Sequence, residues 1–404
     1  MLAHDLDITS PKRNSRSNNA WEGFFPYYAG FPESFASRIL STCGLSSDSL
    51  IFDPWNGSGT TTYASSKLGF SSVGFDINPA MVVIGRARLL AASEADSLVP
   101  LCKKILLSSH ARRDEILPTE PLLAWFGPQT AKSIRFIEEG ICSHLVGRTT
   151  ISDGGVRLEN LSGIAAALYV ALFSICRSMC LRFRTSNPTW FRVPAARERR
   201  ISISRSRIED LFLRFVASMS EALHGGNEQL GTSTIRLADS SVTTLDAETV
   251  DLVLTSPPYC TRIDYAAATR VELGILAPML GTNSSNLRRK MMGSIQVPET
   301  PIEPNSKWGK TCVNFLDSVR GHSSKASASY YHKTHLDYFE KLFSSFNVLS
   351  TCLKRDGLAI DYKNLHNDLA EIASEMASAA SMILTRREDF FSTRSMSGIN
   401  GRSR

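Results

Sequence analysis

The chain has 404 residues, 43% of them apolar and 21% charged, which excludes a disordered or fibrous protein and leaves room for two domains or one α/β domain with a large insertion. Its net charge of +6 suits a polyanionic partner without specifying one. Eight scattered cysteines with no Cys-x-x-Cys pair exclude a disulfide-built scaffold and suit a reducing compartment.

Residues 1–20 are polar and rich in Ser and Asn, and read as a loose N-terminal arm. They hold no apolar core, so no secretory leader is expected and the protein is placed in the cytoplasm. The stretch "PYYAGFPESFASRILSTCG" (26–44) reads as a turn and then a helix, with Pro32 in the first turn and Phe35, Ile39 and Leu40 on one face. "SLIFDPW" is a short buried strand and "TTTYASSKLG" a helix ending at Gly69. "SSVGFDI" is the next strand and "PAMVVIGRARLLAASEA" the next helix, the alternation of a parallel sheet with crossovers. Residues 21–91 are therefore taken as the first part of an α/β core.

An insertion, 92–230, interrupts the alternation with mostly helical periodicity. Its run "LSGIAAALYVALFSIC" (161–176) is shorter than the roughly 20 apolar residues of a spanning helix, so it reads as buried, and no membrane partner is expected. Cys176 and Cys180 share that apolar stretch and read as core, and no metal site is expected. Nine arginines stand against Glu198, Glu209 and Asp210 between 182 and 214. The core resumes over 231–404: "STIRLADSS" and "VDLVLTSPPY" give two strands, and a basic loop spans 283–310. "YHKTHLDYFEKLFSSFNVLSTCL" is an amphipathic helix, "GLAIDYK" a strand, and "MILTRREDFFSTRSM" is read as a closing antiparallel hairpin.

Two turns carry the chemistry. In "DPWNGSGTT", Asp53 ends a strand, and Gly57 and Gly59 let the backbone turn tightly and approach a ligand. Thr60 and Thr61 open the next helix, whose N–H groups face the same crevice. About 20 residues on, Asp76 ends the neighbouring strand, where a carboxylate can accept both hydroxyls of a ribose. The glycine spacing is not the three-glycine dinucleotide fingerprint, and no Gly-Lys-Ser/Thr follows, so nicotinamide and ATP lose ground. In "TSPPY", paired prolines end a strand abruptly in a rigid turn. The Ser256 hydroxyl and the Pro257 carbonyl are then acceptors for a substrate amine, and Tyr259 offers a face for stacking.

"DPWNGSGTT", "VGFDINP", "LADSS" and "TSPPY" resemble the motifs of S-adenosylmethionine-dependent DNA methyltransferases that modify exocyclic base amines, and "YYAGFPESFASRIL" is similar to the helix preceding their first strand. The resemblance covers about 20–90 and 232–390. It implies a Rossmann-like methyltransferase sheet of the α/β class with a large, mostly helical insertion, and S-adenosyl-L-methionine as cofactor. By match, Phe31, Pro32, Asp53, Trp55, Gly57, Ser58, Gly59 and Thr60 surround the methionine end. Asp76, Ile77 and Asn78 hold the ribose, and Asp239 lies near the adenine. Ser256, Pro257, Pro258 and Tyr259 would hold a flipped base. A cytosine-C5 enzyme needs a Pro-Cys nucleophile, which this chain lacks; Cys260 comes one step too late.

In that family a Ser at the first position of the four-residue motif goes with cytosine N4, and Asp or Asn with adenine N6, so Ser256 favours cytosine N4. The order of motifs places 92–230 as the target-recognition region for double-stranded DNA. Arg184, Arg197, Arg199 and Arg200 are read as phosphate contacts and Trp190 and Phe191 as base or sugar contacts, with Arg288, Arg289 and Lys290 as a second patch. A restriction-modification or phage-defence setting is implied. An adenine-N6 enzyme, an RNA methyltransferase, a non-catalytic nucleic-acid-binding subunit and a small-molecule methyltransferase are the alternatives.

Overall fold

A computed structural model describes residues 8, 24–25, 30–108, 116–146, 151–152, 155–185, 190–224, 230–260, 264–280, 284–294, 296, 300–324, 326–361 and 369–388. All but one residue of the expected N-terminal arm (1–20) lie outside these.

Five parallel strands form the central sheet: β1 (Leu50–Asp53), β2 (Ser71–Asp76), β5 (Ser233–Leu237), β6 (Val250–Thr255) and β7 (Leu353–Asp361), in the order β5-β2-β1-β6-β7. The remaining pair, β3 (Ile151–Ser152) and β4 (Gly155–Val156), is a small antiparallel hairpin inside the insertion. From β1 the chain winds outwards through β2 to β5, then crosses back to β6 and continues to β7. The strand order therefore reverses between β1 and β6, and a crevice opens there at the carboxyl ends of the strands. This is the α/β, Rossmann-like sheet with a large helical insertion expected from the sequence.

Both faces of the sheet are covered, as a parallel sheet requires. Alternation along the strands sends Ile51, Leu252 and Leu254 towards helix α1 (Glu33–Thr42), where Phe35, Ile39 and Leu40 pack. Phe52 and Val253 turn the other way, joined by Val250 across an irregularity between Val250 and Leu252, and share a core with Phe339, Leu342 and Phe346 of the long helix α12 (His332–Cys352) and Ile372 and Met376 of α13 (Leu369–Ala379). Helices α2 (Thr60–Lys67) and α3 (Pro79–Arg88) follow β1 and β2.

The insertion does not stand apart. Helices α4 (Ala95–Ser108), α5 (Pro128–Leu145), α6 (Gly163–Met179) and α7 (Arg205–His224) share one core with α3. After β6 come α8 (Tyr265–Ala268), α9 (Arg270–Leu280), which joins the same core, and α10 (Ser284–Lys290). The segment Gly163–Phe183 is, among the described residues, the one long and apolar enough to cross a membrane by length and composition, but α6 is its main part and is enclosed by its neighbours. Cys176 and Cys180 are buried there, and burial pushes the Cys180 thiol up to about 12.

Several expectations change. The helix read as continuous from 79 stops at Arg88 and restarts at Ala95. The stretch 283–310 is not all loop: α10 occupies its start, and Trp308, fully buried, lies in a short 3-10 turn ahead of α11 (Lys310–Gly321). Residues 382–388 form no strand, so the described part of the expected closing hairpin is irregular, and the rest lies outside the described residues.

Candidate active site in the crevice

The turn after β1 is built by packing as much as by glycine freedom. The Asn56 amide donates to the Phe75 carbonyl at 2.8 Å, which lays the turn against β2, and the Asn56 side chain fills the space over Gly74, where an added Cβ would lie 2.5 Å from its Cγ. Gly59 adopts φ +81°, and a Cβ there would meet Gly85 Cα of α3 at 2.9 Å. The close approach that Gly59 permits is thus to α3. Buried Arg88 closes the same junction, donating from Nη1 to the Ser58 carbonyl and the Thr60 hydroxyl.

Asp53 is 4% exposed and already well supplied with donors. Thr255 and Thr61 each donate a hydroxyl to it at 2.6 Å, and the Trp55 amide donates at 3.1 Å. Its carboxylate therefore ties β1, β6 and α2 together at the switch point. Desolvation outweighs these donors and raises its pKa to about 6. Asp53→Ala would take the acceptor from the buried Thr255 hydroxyl and leave the Thr61 hydroxyl with the Leu254 carbonyl at 3.1 Å. It should cost about 2–4 kcal/mol of unfolding free energy in denaturant titration; a loss under about 1 kcal/mol would mean that the threonines find other partners and Asp53 braces nothing.

Asp76, at the end of β2, accepts the Gly57 amide at 2.9 Å and the Asn78 amide at 2.8 Å. Burial, which leads, and the nearby Asp53 charge push its carboxyl up to about 7. Past β5, Asp239 accepts the amide and the hydroxyl of Ser241.

The Ser-Pro-Pro-Tyr turn leaves β6 beside this group. Tyr338 on α12 donates its hydroxyl to the Pro258 carbonyl at 2.9 Å, and the Tyr259 amide donates to the Tyr265 hydroxyl at 2.9 Å. Gly293, at φ +73°, backs onto the Tyr259 carbonyl, where a Cβ would stand 2.6 Å from the oxygen. Cys260 is buried.

All this lines one open cleft. Of the residues singled out in the sequence, Phe31, Asp53, Trp55, Gly57, Ser58, Thr60, Asp76, Ile77, Asn78, Asp239 and Ser256 to Tyr259 line it, and Lys290 stands at it too. Pro32 and Gly59 do not line it; Pro32 caps α1 instead. The basic patch after α9 divides. Arg288 pairs with Asp264, and Arg289 pairs with Asp337 at 2.8 Å, so both guanidiniums are held by protein carboxylates. Within the insertion, Arg184, Arg197, Arg199 and Arg200 are exposed. Phe191, by contrast, is core, with the Arg177 guanidinium 4.8 Å from its ring centre, and Trp190 is half-buried. The aromatic pair expected at a nucleic-acid surface therefore faces largely inwards.

Sequence reading misses Asn56, Tyr265, Gly293, Tyr338 and Lys341. Lys341 lines the cleft and donates to the Arg289 carbonyl at 3.0 Å and to Asp337 at 2.9 Å. A signal for it exists: Asp337 and Lys341, four apart on α12, are opposite charges at the spacing that brings side chains together on one helix face.

Residues 4–86 match the sequence profile of a family described as DNA methylase, of the N6 and N4 type. Among curated proteins, the Type II methyltransferase M.BsoBI of Geobacillus stearothermophilus is 34% identical over 65 residues, covering 16% of this chain and 13% of that protein. No solved structure gives a significant match. The profile takes in Phe31, the Asp53 turn and Asp76 to Asn78, and stops short of Asp239 and the Ser-Pro-Pro-Tyr turn. Over residues 4–86 the chain is similar to the family of exocyclic-amine, N6 and N4, DNA methyltransferases, and it spans only a small part of the curated relative's length.

Proposed function

We propose that the protein is an S-adenosylmethionine-dependent DNA methyltransferase that methylates an exocyclic base amine, cytosine N4 in the reading favoured by Ser256, after the base is flipped out of the duplex. One observation carries this: the Asp53–Asp76 crevice and the Ser256–Tyr259 turn line the same cleft.

The lining suits the cofactor. Asp76 has lone pairs beyond the two amides it accepts, and can take ribose hydroxyls; Asp239 lies beyond it, towards an adenine. Phe31, Ile77 and Met81 supply apolar walls, and the Gly57 turn an open backbone edge. Bound there, S-adenosylmethionine supplies an electrophilic methyl group.

The chain's own work lies at the amine. An exocyclic amino nitrogen is a poor nucleophile because its lone pair is spread into the ring. Ser256 and the Pro257 carbonyl accept hydrogen bonds from its two N–H groups and so favour a pyramidal nitrogen, while Tyr259 stacks on the ring. No covalent enzyme intermediate is needed.

DNA is reached through the exposed arginines of the insertion. Replacing Arg197, Arg199 and Arg200 with alanine should weaken binding and lower the log–log salt slope by about 0.9 for each arginine–phosphate pair removed; an unchanged slope would move the interface elsewhere. Work on DNA is in keeping with a cytoplasmic protein of a modification or defence system.

Purified protein incubated with tritiated S-adenosylmethionine should label unmethylated DNA and not RNA. Nucleoside chromatography of the product should show N4-methylcytosine. N6-methyladenine instead would keep the family reading and overturn the choice of base; label in RNA alone, or in neither polymer, would overturn the DNA reading.

A further inference from the structure

Proline fixes φ near −65° but leaves ψ free. Two consecutive prolines therefore stiffen the Ser-Pro-Pro-Tyr turn without settling how the peptide plane between Pro258 and Tyr259 is rotated. That plane carries the Pro258 carbonyl on one side and the Tyr259 N–H on the other, and both are taken. Tyr338, 2% exposed in the core under α12, donates its hydroxyl to the carbonyl at 2.9 Å. Tyr265, on α8, receives the amide at 2.9 Å. One peptide group is thus gripped from opposite edges by two tyrosine hydroxyls from two different elements.

Each anchor is itself tied down. The Thr269 hydroxyl donates to the Tyr265 carbonyl at 3.1 Å and receives the Asn78 side-chain amide at 2.9 Å, which links α8 to the end of β2. Next to Tyr338, Asp337 holds Arg289 and Lys341, which fixes the opposite wall of the cleft to the same turn of α12. Because the Pro258 oxygen is spent on Tyr338, the Pro257 carbonyl is the one left for an amine.

We propose that Tyr265 and Tyr338 are positioning residues that lock the Pro258–Tyr259 peptide, and through it the ring of Tyr259 and the acceptors of Ser256 and Pro257, in the orientation that methyl transfer requires. The inference rests on the reading of this turn as the base-holding site. Tyr338 does not line the cleft; Tyr265 does, and its hydroxyl is engaged by the Tyr259 amide. They set ψ of Pro258 and φ of Tyr259, and a plane released from either side can rotate, swinging the Tyr259 ring off the base.

Tyr265→Phe and Tyr338→Phe keep both rings and remove only the hydroxyls. Amide hydrogen exchange reads the lock without any substrate. A peptide spanning 256–260 contains just two amide protons, those of Tyr259 and Cys260, since both prolines lack one and Ser256 is its terminal amine, so the Tyr259 proton is resolved easily. Its exchange should quicken at least tenfold in Tyr265→Phe with global protection unchanged; unchanged exchange overturns the lock. With DNA and cofactor, each variant should lose roughly tenfold in kcat, the worth of about one hydrogen bond, at near-native cofactor Kd and melting temperature. In a Ser256→Ala background the same loss should shrink, because the turn then has less to position. A full kcat, or a loss that multiplies unchanged onto Ser256→Ala, overturns the positioning role. If the wild-type protein methylates no DNA, the functional reading falls, and the exchange result still decides whether the peptide is locked.

Discussion

Ser256→Ala should lower the rate of methyl transfer by about 10²-fold while cofactor and DNA binding stay near native. The hydroxyl is asked to accept a hydrogen bond from an amine whose lone pair becomes available only as the nitrogen pyramidalises, so its bond strengthens on the way to the transition state. An interaction of that kind appears in kcat and not in ground-state affinity. Tyr259→Ala should fail differently. Loss of a stacking face costs roughly 1–3 kcal/mol per base, so capture of the extruded base should suffer along with the rate. A 2-aminopurine at the target position, fluorescent once unstacked, separates the two: loss of Tyr259 should change its signal, and loss of Ser256 should leave it nearly intact. Both mutants methylating DNA at the wild-type rate would remove the turn from the site.

The parts of this site legible in the sequence are those whose chemistry sits in a contiguous stretch. Asp53, the Gly57 turn, Asp76 and Ser256–Tyr259 each announce themselves because a strand must end there and a glycine, proline or acid follows at once. Their convergence on one cleft is also legible, since parallel strands adjacent in the sheet deliver their carboxyl ends to one edge. What stays hidden is contact between distant segments. Nothing around Gly59 says that its missing side chain makes way for Gly85, and nothing around Tyr338 says that its hydroxyl reaches back 80 residues to the Pro258 carbonyl. Charge is read too generously for the same reason. Arg288 and Arg289 look like a phosphate patch until Asp264 and Asp337 are brought against them from elsewhere in the chain. "TWF" likewise reads as an aromatic display until Phe191 is seen packed under Arg177.

Asp76 should show two pH dependences of opposite sign. Its carboxyl in the free protein titrates near 7, raised from the ordinary aspartate value mainly by burial. A carboxyl whose folded pKa lies above its unfolded one binds its proton more tightly when folded. Its contribution to stability is therefore complete below the unfolded pKa of about 4 and is lost as pH rises through 7. From Asp76 alone, the free protein should become more stable between pH 7 and pH 5, and Asp53, at about 6, acts in the same direction. Cofactor binding runs the other way. Ribose hydroxyls donate to the ionised carboxylate, so affinity should fall as pH drops below 7, approaching tenfold per unit, because protonated molecules must first lose the proton. Calorimetry across pH 5.5 to 8 measures this directly, and thermal shift shows the melting temperature of the free protein rising as the increment from cofactor shrinks. Asp76→Asn should abolish the pH dependence of binding while keeping one acceptor for the amides of Gly57 and Asn78. Asp76→Ala should weaken binding by about 3 kcal/mol, roughly a hundredfold. A cofactor affinity flat from pH 8 to 5.5 in the wild type, with Asp76→Ala binding as tightly, would take Asp76 out of the ribose site.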